Sequence, residues 1–170
     1  MRRIPLGLAA LLCACAPTLA FDVDAAGTAL VPGSPLGGVL NLPADLGGFG
    51  NIDLSTQTGF YGAQSKDRIT NARVERFTLR VLSPATQDLS FFTSAAFFIF
   101  APGLPRVQFA HLSPFPAATA ADLMLDGGVD LTPYAKASSI TITATATGQA
   151  PMQDTKIEAA VTFRIDAAIF

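Results

Sequence analysis

His111 is the single histidine of the chain, so it sets how much metal or proton chemistry the sequence can hold. A zinc site built on it would need carboxylates for its other protein ligands. A serine–histidine–aspartate triad is allowed by count, but the Gly-x-Ser-x-Gly turn that presents a nucleophilic serine is absent. His111 is therefore read as a loop or strand-end histidine without chemistry. Glu75 and Glu158 are the only glutamates. Both fall on the polar phase of strand-like segments, where solvated side chains are expected rather than a paired acid and base. Asp122, Asp126 and Asp130 recur at every fourth position around Gly127-Gly128. Carboxylates and loop carbonyls are the donors that extracellular calcium takes, so these three are weak metal candidates, although their spacing matches no standard calcium loop. Gly47-Gly48-Phe49-Gly50 lacks the spacing and strand-to-helix context of a phosphate loop. No catalytic residue and no cofactor is implied.

Two other sets suggest contact rather than catalysis. Thr141, Thr143, Thr145 and Thr147 alternate with Ile140, Ile142, Ala144 and Ala146, which makes a flat uncharged face. Such ladders can match carbohydrate or ice, and threonine is also a favoured residue on the solvent side of any strand. Phe91, Phe92, Phe97, Phe98 and Phe100 lie within ten residues. They are candidates to line an apolar cavity between two sheets, which would suit a carrier of an apolar ligand or acyl chain.

These side chains need a scaffold, and the first twenty residues stand outside it. Arg2 and Arg3 precede an apolar run from Ile4 to Leu12, and Thr18-Leu19-Ala20 offers small residues at −3 and −1 of a cleavage point. That is the form of an export signal, too short to remain as a membrane anchor. Cys13 and Cys15 are the only cysteines. Leu12-Cys13-Ala14-Cys15 also fits a lipobox with Cys15 as the acylated residue, so two processing routes are open, secretion after cleavage at Ala20 or a lipid anchor at Cys15. On either route the folded part has no disulfide and no thiolate. Thirteen acidic side chains face eleven basic ones, two of which are Arg2 and Arg3. Such mild acidity gives no reason to expect nucleic acid or an anionic membrane as partner.

The remaining chain divides into residues 21–65, an N-terminal strand with a Pro/Gly-rich segment, and residues 66–170, the core. Phe21, Val23 and Ala25 share one strand phase. Pro32 to Gly50 is dense in proline and glycine but interleaved with Leu36, Val39, Leu40, Leu42 and Leu46, so a loop packed over one end of the core is expected. Phe77, Leu79 and Val81 alternate with Thr78, Arg80 and Leu82, while Val74 is out of phase, which predicts a bulge near Glu75 and Arg76. Phe97-Phe98-Ile99-Phe100 is apolar in both phases and predicts a central strand covered on each side. Asp122 to Asp126 reads as one short strand, and Leu131 to Ala137 as a single helical turn. The clearest alternation runs through Ile157, Ala159, Val161, Phe163 and Ile165. An outer-membrane barrel is excluded because Arg164 and Asp166 share the phase of the terminal Phe170, which would set charges in hydrocarbon. The reading is an all-β chain forming a single antiparallel β-sandwich, immunoglobulin-like or jelly-roll-like.

Four strings extend this. They are Gly33-Ser34-Pro35-Leu36-Gly37-Gly38, Gly103-Leu104-Pro105-Arg106-Val107, Asp130-Leu131-Thr132-Pro133-Tyr134 and the run Thr147-Gly148-Gln149-Ala150-Pro151-Met152-Gln153-Asp154-Thr155. In their order the chain resembles a group of uncharacterised exported, often lipid-anchored bacterial proteins, departing from it at Ala150 and Met152. The resemblance implies a β-sandwich of the cell envelope, in the periplasm or at the outer-membrane periphery. With no nucleophile–base or metal constellation beside the strong sandwich patterning, a non-enzymatic structural or binding role toward an unknown protein or envelope component is expected.

Overall fold

A computed structural model describes residues 18–42 and 66–169 of the chain. Cys15, the cleavage point's upstream signal and residues 43–65 lie outside the described residues. Alternation of apolar and polar side chains makes most of the chain extended. In order, the strands are β1 (Thr18–Val31), β2 (Val39–Leu42), β3 (Ile69–Ser83), β4 (Phe92–Phe100), β5 (Val107–Leu112), β6 (Ala120–Asp122), β7 (Met124–Leu125), β8 (Thr141–Gln149) and β9 (Thr155–Ala168). One short helix, α1 (Thr132–Lys136), stands between β7 and β8. No helix among the described residues is long and apolar enough to cross a membrane.

The strands form two antiparallel sheets, one in the order β1-β9-β3-β6 and the other β2-β8-β4-β5-β7. An immunoglobulin sandwich keeps its first two strands side by side. Here β1 and β2 belong to different sheets, and each sheet interleaves strands that are distant in sequence. With β7 as an extension of β5, the orders 1-9-3-6 and 2-8-4-5 are those of a jelly roll. Their inner faces meet in one core. Phe77 sits at its centre, edge-on to Phe97 with ring centroids 4.5 Å apart and stacked on Phe109 at 5.5 Å. Ile157, Ala159, Val161, Phe163 and Ile165 of β9 are all buried, as their alternation requires. The expected bulge is present, as a register shift between Val74 and Arg76 against β9.

Three local readings are corrected. The described part of the Pro/Gly-rich segment, residues 32–42, is not a packed loop throughout: Leu36 and Val39 are almost wholly exposed, Leu40 is buried, and Val39–Leu42 pairs with β8 as a strand, while residues 43–50 lie outside the described residues. Asp122 to Asp126 is not one strand. The chain leaves β3 after β6, crosses the sandwich edge at buried Leu123, whose N–H donates to the Phe77 carbonyl, and joins β5 as β7. Segments of three and two residues are too short to show a period, so one apolar run stood for both. Finally, β4 is central in its sheet but is covered on one face only. Phe97 and Ile99 point into the core, while Phe98 lies beneath the guanidinium of Arg106, 3.7 Å from the ring centroid, and Phe100 is 42% exposed.

The four strings act as joints. The turn after β1 is held to the β8–β9 turn by Gly33 N–H on Asp154 Oδ1 (2.8 Å), Ser34 N–H on the Pro151 carbonyl and Ala150 N–H on the Gly38 carbonyl. At Gly33 the backbone of Gln153 passes so close that a Cβ would lie 2.3 Å from its carbonyl carbon. The other two strings meet where the Tyr134 hydroxyl donates to the Pro105 carbonyl at 2.6 Å.

Candidate functional site

The two outward faces differ in chemistry because their strands carry different residues in the polar phase. On the four-stranded sheet, charges pair across neighbouring strands. Arg164 Nη1 is 2.8 Å from Asp22 Oδ1, Arg80 Nε is 2.7 Å from Glu158 Oε2, and Arg73 reaches both Glu75 and Asp166 at 3.6 Å. Thr162 donates to Asp24. Glu75 and Glu158 are therefore in ion pairs with arginines, not with each other. Asp22 holds the Arg164 guanidinium above its ordinary pKa, through a hydrogen bond and then its charge.

The five-stranded sheet shows an almost uncharged outer face. Its rungs follow from the register. Thr145 lies beside Ala96, Ala96 beside His111, and His111 beside Met124. Ser94 and Thr147 share a hydrogen bond of 2.8 Å on the next rung. On the other side, Thr143 pairs with Phe98, and Arg106 folds across both, its Nε donating to Thr143 Oγ1 at 3.2 Å. A bulge in β5 at Phe109, opposite the step from Phe97 to Phe98 in β4, sets Gln108 opposite Phe98. Because Ala96 and Ser94 are short and Thr145, Thr147 and His111 are taller, the surface sinks into an open groove of about 370 Å³, also lined by Gln108 and Ser113. That volume is within the usual range of small-molecule sites.

His111 forms one wall of the groove. Its Nδ1 is buried and approaches Asp126 Oδ1 to 3.0 Å, but the ring N–H direction misses the carboxylate, so the contact is a close approach rather than an aligned hydrogen bond. Asp126 Oδ2 accepts from the Gln108 amide at 3.0 Å. A histidine–aspartate contact is thus present where no sequence pattern marked one, since β7 brings Asp126 to β5 only through the sheet crossing. The nearby serines are engaged elsewhere: Ser94 with Thr147, and Ser113 with the Thr93 carbonyl at 3.3 Å.

The three aspartates proposed for calcium do not converge. Asp122 accepts from the Thr78 hydroxyl, Asp126 belongs to the groove contact just described, and Asp130 accepts from the Thr132 N–H at 2.9 Å just before α1. Hydrogen bonds from the Thr132 side chain and backbone hold the Asp130 carboxyl below its ordinary pKa. Among the described residues, no group of three or more histidine, cysteine, aspartate or glutamate side chains could hold a metal ion. The five phenylalanines also separate. Phe91, Phe92 and Phe97 are buried in the core, and Phe98 and Phe100 belong to the outer face, so the five do not line one inter-sheet space. Alternation separates Phe97 from Phe98 and Phe100, and the register shift between Phe92 and Ser94 lets Phe92 share the buried side with Phe97. Ser94, Ala96, Gln108 and Ser113 were not legible as a set, since the pairing of β4 with β5 and the register shift within it bring them together; the threonine ladder was the one signal for this face.

No protein-family model matches the sequence, and no curated protein matches it significantly. Among solved structures, the chain is similar to a decameric BFDV capsid protein, with 5% identity, a TM-score of 0.42, and coverage of 89% of this chain and 99% of that one. It is also similar to desmodium yellow mottle tymovirus, with 9% identity, a TM-score of 0.34, and coverage of 100% of this chain and 95% of that one. The jelly-roll assignment rests on the strand order of this chain alone.

Proposed function

We propose that the chain is an exported, non-enzymatic cell-envelope protein that binds a neutral partner surface through the outer face of its five-stranded sheet. The observation that carries this reading is the contrast between the two outer faces. One is laced with arginine–carboxylate pairs, and the other presents hydroxyls, alanine, phenylalanine and a groove. Interface centres are depleted in charge relative to the rest of a protein surface, and of the two described outer sheet faces this one has that composition. Export is supported by Arg2, Arg3, the Ile4–Leu12 run and the Thr18-Leu19-Ala20 site, with Cys15 as the alternative point of processing and lipid attachment. A hydrolytic role is not favoured, because the groove serines are hydrogen-bonded away from His111.

The test is native mass spectrometry of the protein released gently from its own envelope, beside a Thr145→Arg variant. Thr145 is exposed on the groove wall, so arginine there blocks the face without entering the core. The expected result is added mass on the wild type that the variant lacks. Wild-type protein with no non-covalent added mass, or equal non-covalent added mass on both, would overturn the reading. The same spectrum shows whether Cys15 is acylated.

A further inference from the structure

A sheet edge is a row of unpaired backbone donors and acceptors, and proteins blunt it with short strands, lysine, proline or bulges. Three of the four edges here are short: β2 has 4 residues, β6 has 3 and β7 has 2. The fourth is different. β1 runs for 14 residues, contains neither lysine nor proline, and keeps an unbroken register with β9 from Thr18↔Ala168 to Val31↔Thr155. Among the described residues, no strand pairs with its other side.

We infer that β1 is a self-association edge, and that its occupant is β1 of a second copy of this chain, joining two four-stranded sheets into one antiparallel eight-stranded sheet. A two-fold axis perpendicular to the sheet keeps the core-facing residues of both copies on one side, and it makes a closed, isologous contact. Charge then narrows the register. β1 carries only two charged residues, Asp22 and Asp24. An axis through Asp24 would oppose two carboxylates, which is destabilising. An axis through Ala25 sets Asp24 opposite Ala26 of the partner subunit and Asp22 opposite Thr28 of the partner subunit. Both carboxylates are already engaged within their own sheet, Asp22 by Arg164 and Asp24 by Thr162, so neither is left as an inward-pointing charge that would repel a neighbour. In the uncut chain, Leu30, 63% exposed near one end of the strand, lies opposite Ala20 of the partner subunit in this arrangement. The register is centred within Phe21–Val31 and is available whether or not the chain is cut after Ala20. This edge is separate from the outer face of the other sheet, so the two proposals stand or fall independently.

Sedimentation velocity over a concentration series tests it. The full chain is expected to reach twice the mass of one copy. Ala26→Asp and Thr28→Asp, both at exposed edge positions, set a carboxylate opposite Asp24 of the partner subunit and Asp22 of the partner subunit and should halve that mass with unchanged far-ultraviolet circular dichroism, while Thr145→Asp on the other sheet stays dimeric. A wild type that remains monomeric throughout, or a dimer that both edge aspartate substitutions leave intact, would overturn the inference. Hydrogen exchange on the unmodified protein gives a second readout. Slow β1 amides that become fast on dilution support the pairing, and β1 amides indifferent to dilution refute it.

Discussion

Removing the Phe77 ring is the most direct challenge to the packing account. Phe77 is 1% exposed and stands between the sheets, its own side of the sandwich on β3 and its aromatic partners Phe97 and Phe109 on β4 and β5. Phe77→Ala therefore opens a ring-sized cavity and also ends two aromatic contacts across the core. Buried phenylalanine truncations cost about 3–5 kcal/mol, and the site's position between two sheets that cannot both collapse inward places this one near the upper end. With a urea dependence of about 2 kcal/mol per molar for a domain of this size, the unfolding midpoint should fall by about 2 M. Phe100, on the outer face, is 42% exposed. Phe100→Ala should cost less than about 1 kcal/mol, since no packed cavity forms. Urea melts of the two variants, followed by circular dichroism, decide the matter. A Phe77→Ala midpoint close to wild type, or equal falls for both variants, would mean that the inner and outer faces of β3 and β4 are wrongly assigned.

Gly148→Ala places a Cβ 2.0 Å from the Phe91 carbonyl oxygen, which is backbone and cannot swing aside, so a loss of about 1–3 kcal/mol is expected in the same melts. Gly128→Ala, with open space around it, should be close to neutral. Burial raises the Tyr134 phenol above its ordinary pKa, which means that folding favours the neutral form. The associated stability is fully present below the ordinary phenol pKa and is lost as pH rises through the raised one. Alkaline urea melts should show that loss in wild type and not in Tyr134→Phe, which at neutral pH instead costs about 1 kcal/mol by leaving the Pro105 carbonyl unpaired. Calcium should not stabilise the fold through Asp122, Asp126 and Asp130, because each is hydrogen-bonded to a different partner. A melting temperature that rises with calcium and falls with chelator would contradict that.

The sequence makes long elements legible and short ones obscure, for a physical reason. β8 and β9 alternate over 9 and 14 residues, enough to fix both the strand state and the buried phase of Ile142, Val161 and Phe163. The bulge at Val74–Arg76 is legible because one residue breaks an otherwise regular phase. By contrast, Leu123 gives no hint that the chain changes sheets there, since burial at a crossing looks like burial in a strand. Phe98 illustrates a second limit. An apolar residue in the outward phase reads as evidence of a second covering layer, yet a single arginine, Arg106, six residues after Phe100, covers the ring. The groove was legible only as the threonines on its wall. Its floor at Ala96 and its opposite wall at His111 depend on the pairing of β4 with β5, which lies in contacts between distant residues and in no local pattern.

Hydroxyl-radical footprinting of the protein in its own envelope, compared with the isolated protein, tests the central claim most directly. Two exposed methionines serve as internal reporters. Met124, 58% exposed, lies beside His111 on the outer face of the five-stranded sheet, and Met152, 65% exposed, lies in the β8–β9 turn. Binding through that face predicts that Met124 is protected from oxidation in the envelope while Met152 oxidises as it does in isolation. Equal oxidation of Met124 in both settings, or protection confined to Met152, would contradict the assignment of this face as the contact surface.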